Sequence, residues 1–313
     1  MKIAISLALF FAPLGLASCS NAATSPDELA KAFQHAVDEG DFAAAQALFD
    51  LDGAPAQVRF LYLDGLNDCY TDIKCTFTFT PADEALRKSA AAQAEQLHLE
   101  APAVEGMIKV TLKPRDNKDS GSMSGTMSMP YAKIDGVYKV VTAHLSAAEI
   151  AARRAKTDDA LLKELFAKGI PDATTMRKDW ATEAKPLPPD GGDAGKALIT
   201  QTRARWAAAV AKDPDAAVKA GGRMAALLFG DKDPAGKPVA LEIRRRALHL
   251  QSLRWLHDVK VNGGYMLGDN AVLMIKAHDG IGWVVRGPLL MSRIGKAWEQ
   301  QGFVSNTISY PAP

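Results

Sequence analysis

Asp64, Asp68 and Asp72 stand close along the chain to Tyr62 and Tyr70. A carboxylate base beside a phenol donor can move a proton on a small molecule if a water-excluding pocket shifts its pKa. The same side chains around a small loop serve equally as solvated turn residues, and the sequence favours that plainer reading. Six histidines, His35, His98, His144, His249, His257 and His278, show no H-E-x-x-H or H-x-H spacing. His249 and His257 lie about two helical turns apart and share a face only if a helix continues to Asp258. A metal held there would need carboxylates from elsewhere. The histidines therefore read as structural or surface residues, and neither a metal nor another cofactor is expected. No G-x-S-x-G elbow, phosphate-binding loop or dinucleotide fingerprint is present. Gly221-Gly222 has no strand before it and no Lys-Ser/Thr after it, which leaves a helix junction.

Binding chemistry is better represented. Arg244-Arg245-Arg246 and Arg254 make a basic helical segment. Its guanidinium groups suit a lipid phosphate or an acidic protein, or else form a solvated face. Trp206, Trp255, Trp283 and Trp298 all fall in the second half of the chain. With Arg254 they are the candidate lining of a ligand pocket or patch, core packing being the alternative for each tryptophan.

The cysteines speak to compartment. Cys19 ends the tetrapeptide Leu16-Ala17-Ser18-Cys19, behind Lys2 and an uncharged run from Ile3 to Leu16. That run is shorter than the roughly 20 residues of a bilayer span and is interrupted by Pro13 and Gly15. The leader and these four residues resemble the signal peptide and lipobox of bacterial lipoproteins. The resemblance implies cleavage before Cys19 and acylation of that residue. With Ser20 rather than Asp following, it implies an anchor in the outer membrane, on the periplasmic face. A cut after Ala22 is also chemically possible; it would discard Cys19 and release a soluble periplasmic protein. If Cys19 carries lipid, Cys69 and Cys75 remain as a pair. An oxidising compartment favours a disulfide between them, worth roughly 2 kcal/mol for so small a loop. Their spacing is not C-x-x-C and no His stands near to complete a zinc set.

The chain has 313 residues, 48% of them hydrophobic, enough for two domains of ordinary size and a sizeable core. Basic and acidic residues number 37 and 36, and loss of Lys2 with the leader makes them equal. Such balance argues against nucleic acid as a partner. It also gives no electrostatic reason to bind an anionic membrane surface.

Ser25-Pro26-Asp27-Glu28 starts a helix whose apolar face is Leu29, Ala32, Phe33, Ala36 and Val37. Gly40 ends it, and Asp41 caps a second helix that buries Phe42, Ala45 and Phe49. A third helix is predicted from Thr80-Pro81, carrying Leu86, Ala90 and Leu97. The aromatic stretch 50–79, with its cysteine pair, calls for a special loop. Ile108, Val110 and Leu112 alternate with polar residues, the period of a half-buried strand. Residues 127–134 and 137–143 form a hairpin on Asp135-Gly136. Ser146 opens a helix to about Lys168, and 185–192 reads as a Pro/Gly linker. Beyond it the order recurs: three helices between 194 and 250, then strands over 259–267, 271–277, 282–294 and 297–310. Residues 131–138 can be laid over 291–298 without a gap.

The expectation is an α+β chain of two similar domains, each with helices followed by a curved antiparallel sheet. Its parts are a signal peptide (1–18), a first α+β domain (19–145), a helical connector and linker (146–193) and a second α+β domain (194–313). The Asp41-Phe42 helix with Phe49, and the endings Gly136-Val137-Tyr138 and Lys296-Ala297-Trp298, resemble the nuclear transport factor 2-like (cone-shaped α+β barrel) superfamily. A cystatin-like arrangement is a close competitor. Cone-shaped relatives that act on small molecules use an Asp or His base with a Tyr donor, which the resemblance would place at Tyr62 and Asp64. Without a catalytic constellation, the expected function is a membrane-anchored envelope lipoprotein, a non-catalytic module for an envelope protein or a small apolar ligand. A small-molecule enzyme of the cone-shaped superfamily and an accessory subunit of an envelope assembly are the alternatives.

Overall fold

Ser25 caps the first helix through its hydroxyl, which accepts from the Glu28 amide at 3.2 Å. Glu28 reaches back to the amide and hydroxyl of Thr24, both at 2.6 Å. These contacts stand near the start of a computed structural model that describes residues 23–71, 73–114, 125–168, 170–172, 175–177, 180–303 and 307–313. The leader, Cys19 and Asp72 lie outside the described residues.

The first half runs α1 (Pro26–Asp38), α2 (Phe42–Ala47), β1 (Phe49–Asp50), α3 (Ala56–Asn67), a 3-10 turn (Asp68–Tyr70), β2 (Ile73–Pro81), α4 (Glu84–Gln96), β3 (Gly106–Pro114), β4 (Gly125–Ile134) and β5 (Val137–Val141). The strands form one sheet in the order β1-β5-β4-β3-β2, antiparallel except where β1 runs parallel to β5. One face of the sheet carries the core. Phe33 stacks on Phe77 and meets Phe49 edge-on, each at 5.4 Å between centroids. Leu29, Phe60, Leu63, Ile108, Val110 and Val140 close around them. The opposite face presents exposed Lys74, Thr76, Thr78 and Lys109.

Two expectations change here. The stretch 50–79 is no loop: α3 buries Ala56, Phe60, Leu63 and Leu66, and β2 follows the turn. Pro55 gives α3 no side-chain cap, so the usual start signal is missing. The next helix starts at Glu84 on an Asp83 cap, while Thr80 and Pro81 finish β2. Of that helix only Ala94 is buried, and Leu97 is exposed.

The second half contains α5 (Ala147–Ala155), α6 (Asp158–Lys168), β6 (Ile170–Asp172), β7 (Thr175–Arg177), α7 (Trp180–Glu183), β8 (Lys185–Leu187), α8 (Gly192–Val210), α9 (Pro214–Phe229) and α10 (Leu241–Ser252). The strands β9 (His257–Leu267), β10 (Asn270–His278), β11 (Val284–Ile294), β12 (Ala297–Phe303) and β13 (Ile308–Tyr310) complete it. The main sheet is ordered β12-β11-β10-β9-β8, with β13 also on β11. Gly264, at φ +157°, allows the β9–β10 crossing: a Cβ there would stand 2.2 Å from the Val272 carbonyl oxygen.

This sheet is covered on both sides. Ala271, Leu273 and Ile275 face Leu198 of α8. Val272 and Met274 point the other way, into Leu165 with Trp180 and into Leu161 with Tyr310. The segment read as connector and linker therefore packs on the second sheet, and residues 185–187 form its edge strand. The helix expected to run unbroken from Ser146 is interrupted at 156–157, where the Thr157 hydroxyl accepts from the Ala160 amide at 3.2 Å and starts α6.

The architecture is α+β with two antiparallel-rich sheets. The four-strand meander β2–β5 recurs as β9–β12 in the same neighbour order. The two hairpins share register, with Lys133 opposite Tyr138 and Arg293 opposite Trp298. Each cation lies over its partner ring, at 5.7 and 4.7 Å. The fifth strand joins at opposite ends, β1 beside β5 but β8 beside β9. Leu250 of α10 is buried within the first core, so the halves share apolar packing.

Candidate functional site

The segment 250–257 joins α10 to β9 and runs along the seam between the two cores. Arg254 is its centre. Its guanidinium lies over the Phe60 ring at 3.6 Å. Nη1 donates to Gln57 Oε1 at 3.1 Å and Nη2 to Gln251 Oε1 at 2.6 Å. Nε is buried and has no hydrogen-bond partner among the described residues.

Arg254 lines two cavities. The larger, about 370 Å³, is lined by Gln57, Thr202, Arg205, Phe229, Gln251, Arg254, Trp255, Leu256, Gln300 and Gln301, with Ala225, Leu228 and Gly221 beside them. The smaller, about 230 Å³, brings Pro55, Ala56, Gln57 and Arg254 together with Asp279, Val285 and the segment Thr307–Ser309. Among the described residues lining the larger cavity there is no carboxylate. Arg205 donates to Gln300 Oε1 at 3.2 Å. Burial lowers the pKa of both guanidiniums, opposed by Glu299 near Arg205 and Asp64 near Arg254. Both stay charged, because an arginine starts far above neutrality.

The basic segment of α10 does not form one solvated face. Arg244 is buried, donating to the Phe229 carbonyl at 2.7 Å and pairing with Asp215. Arg246 crosses the seam to Asn67 and to the Tyr70 carbonyl at 2.9 Å, with the Tyr70 ring 5.2 Å from its guanidinium. Arg245 is exposed.

Asp279, only 3% exposed, accepts from the amides of Ile281 and Trp283 at 3.1 and 2.9 Å. Burial nevertheless pushes its carboxyl up to about 6, against those hydrogen bonds and the nearby Arg59 and His257. Next to it one set of side chains could hold a metal. His257, Asp258 and His278 offer ligand atoms all within 4.8 Å of one another. The sequence assigns these histidines no metal role, because β10 brings His278 alongside His257 only through strand pairing.

The tryptophans are dispersed. Trp255 lines the larger cavity, edge-on to Phe229 at 5.8 Å. Trp206 stacks on His257 at 4.2 Å. Trp283 is buried, with its backbone amide on Asp279, and Trp298 is buried in the second core. Tyr62 turns its ring edge-on to Phe49 at 6.4 Å, where burial raises its pKa. Asp64 is exposed, so the pair does not converge. Cys69 and Cys75 form a disulfide with Cα atoms 5.4 Å apart, and both are buried. Gln57, Arg205 and Gln300 were not legible as site residues. They come from α3, α8 and β12, and no local motif joins them.

Comparison with protein-family models, with curated proteins and with solved structures finds no match for this chain. No described helix is long and apolar enough to cross a membrane.

Proposed function

We propose that this chain is a lipid-anchored bacterial envelope protein that binds, without transforming it, a small molecule with an anionic group and an apolar body. The larger seam cavity carries the reading. Arg205 and Arg254 supply two cations with no lining carboxylate, while Phe229, Trp255 and Leu256 form an apolar wall. Nη1 and Nη2 of Arg254 bond neutral glutamine oxygens, and an anionic ligand group would add or substitute a charge-assisted contact of about 1.5–3 kcal/mol. The apolar ligand expected from the tryptophans thus gains a charged head. The anchor rests on Leu16-Ala17-Ser18-Cys19 and its leader. A binding role rather than catalysis is supported by the separation of Tyr62 from Asp64.

Native mass spectrometry of the full-length chain, extracted from membranes in detergent, tests both parts. The expected spectrum shows an acylated chain and a co-purified anion that Arg205→Gln and Arg254→Gln both lose. Cys19→Ala should move the protein out of the membrane fraction. An unmodified chain, or ligand occupancy indifferent to both arginine variants, overturns the corresponding half of the proposal.

A further inference from the structure

We infer that His257, Asp258 and His278 form a binding site for a divalent late first-row transition ion of the zinc type, separate from the seam cavity. In the present side-chain positions, Asp258 Oδ2 lies 2.8 Å from His257 Nδ1 and 4.0 Å from His278 Nδ1. Ligand atoms about 2.0–2.1 Å from a tetrahedral ion stand roughly 3.3 Å apart, midway between these separations. Rotation of the exposed Asp258 and half-exposed His278 side chains can reach that spacing. Two imidazoles and one carboxylate suit zinc, nickel or copper and do not suit calcium or magnesium, which take oxygen ligands. Three protein ligands leave further positions to water.

Three features outside the ligand atoms support the assignment. His257 Nε2 lies 3.2 Å from the Asp279 carbonyl oxygen. An N–H donated there fixes the ring, the outer contact that ligating histidines ordinarily make, and leaves Nδ1 to take a metal in place of the proton that its 2.8 Å contact with Asp258 needs. The β9–β10 register shifts between Lys276 and His278, and Asp258 sits in this bulge with φ +51°. Left-handed backbone is uncommon for a residue other than glycine, and bulges of this kind re-aim side chains. Here the bulge turns Asp258 onto the histidine side of the sheet. Finally, the His278 ring lies 5.6 Å from that of His257, and Trp206 stacks on the His257 ring at 4.2 Å, inclined by 15°. The His257 imidazole is thereby held by packing before any ion arrives.

The test is titration of the full-length, detergent-extracted chain, first stripped with a chelator, using Co2+ and Cu2+ alone. One equivalent of Co2+ should bind with visible d–d absorption of low coordination number. His257→Gln, His278→Gln and Asp258→Asn should each weaken binding at least about tenfold, since even outer partners are worth 10–100-fold. Cu2+ should quench tryptophan emission. Trp206→Phe should remove most of that quench while leaving Cu2+ affinity within about threefold. Arg254→Gln should leave metal binding intact, which separates this site from the ligand reading. If His257→Gln perturbs the near-ultraviolet dichroism, the more exposed His278 and Asp258 variants decide. Absence of saturable Co2+ binding, or unchanged affinity in the His278 and Asp258 variants, overturns the inference.

Discussion

Arg254→Met tests whether the seam guanidinium is a ligand contact or only a bolt between the two halves. Methionine fills much of the stem volume and removes the charge. Lost with the guanidinium are a cation–π contact at 3.6 Å, worth about 1–2 kcal/mol, and two hydrogen bonds to neutral amides, about 1.5 kcal/mol each. Set against this, the orphaned Nε disappears, relieving about 1–3 kcal/mol. Gln57 is exposed and can replace its lost partner with water. The net destabilisation is about 2 kcal/mol, or about 3 °C in Tm at this chain size. An anionic ligand loses a charge-assisted contact of about 1.5–3 kcal/mol, so affinity should fall about tenfold to hundredfold. Calorimetric melting measures the first number. Fluorescence titration with 8-anilinonaphthalene-1-sulfonate, an apolar body with an anionic head, measures the second. Arg254→Lys should retain part of the affinity while losing the stacking on Phe60. A Met variant that melts lower yet binds the dye as wild type does would refute the ligand role, leaving the bolt alone. Unchanged melting and unchanged binding would refute the whole account of this residue.

Two further perturbations bear on stability. Replacing both Cys69 and Cys75 by alanine frees the denatured chain from a small loop and should cost roughly 2 kcal/mol, read as a lower urea midpoint at unchanged m-value; no shift would mean that the bond adds nothing. The Asp279 carboxyl stands at about 6 in the fold against 3.8 when unperturbed, so the folded chain holds the proton more tightly. Between about pH 4 and pH 6 the folded state binds more protons than the unfolded, and stability falls as pH rises, by up to about 3 kcal/mol. Urea unfolding in chelator should show that loss in wild type and a flatter profile in Asp279→Asn, which keeps the acceptor for Ile281 and Trp283; parallel profiles would sink the argument.

What the sequence disclosed was whatever is encoded locally. The Ser25, Asp41 and Ser146 caps act as their residue types require. Asp135 and Gly136 both adopt positive φ at the hairpin, as an Asp-Gly pair permits. The disulfide followed from cysteine parity. Non-local features stayed hidden. Helix α3 lacks a side-chain cap, and its buried residues occur in a stretch dense with aromatics. The buried face of α8 is Ala194, Gly195, Leu198, Thr202 and Ala208, whereas the apolar Val210 is exposed. Arg244 and Arg246 looked like a solvated face because a sequence does not show that Phe229, Asn67 and Tyr70 arrive from elsewhere to meet them. The histidine pair is invisible for the same reason: its spacing is set by strand register.

The repeated meander also explains why the binding groups gather at the seam rather than inside the second sheet. A sheet buried on one face leaves its concave side free to hold a ligand. In the first half the described residues of the uncovered face include exposed Lys74, Thr76, Thr78 and Lys109. In the second half β10 buries consecutive residues from Ala271 to Ile275, because α8 covers one face and α6 with α7 covers the other. Trp283 and Trp298 are buried in this half. Polar groups from α3, α8, α10 and β12 cannot enter either core without losing partners, so they collect where the two cores meet. There Arg205 and Arg254 bond neutral glutamine oxygens beside the apolar wall of Phe229, Trp255 and Leu256, so an anionic group on an apolar body meets both cations and hydrophobic surface.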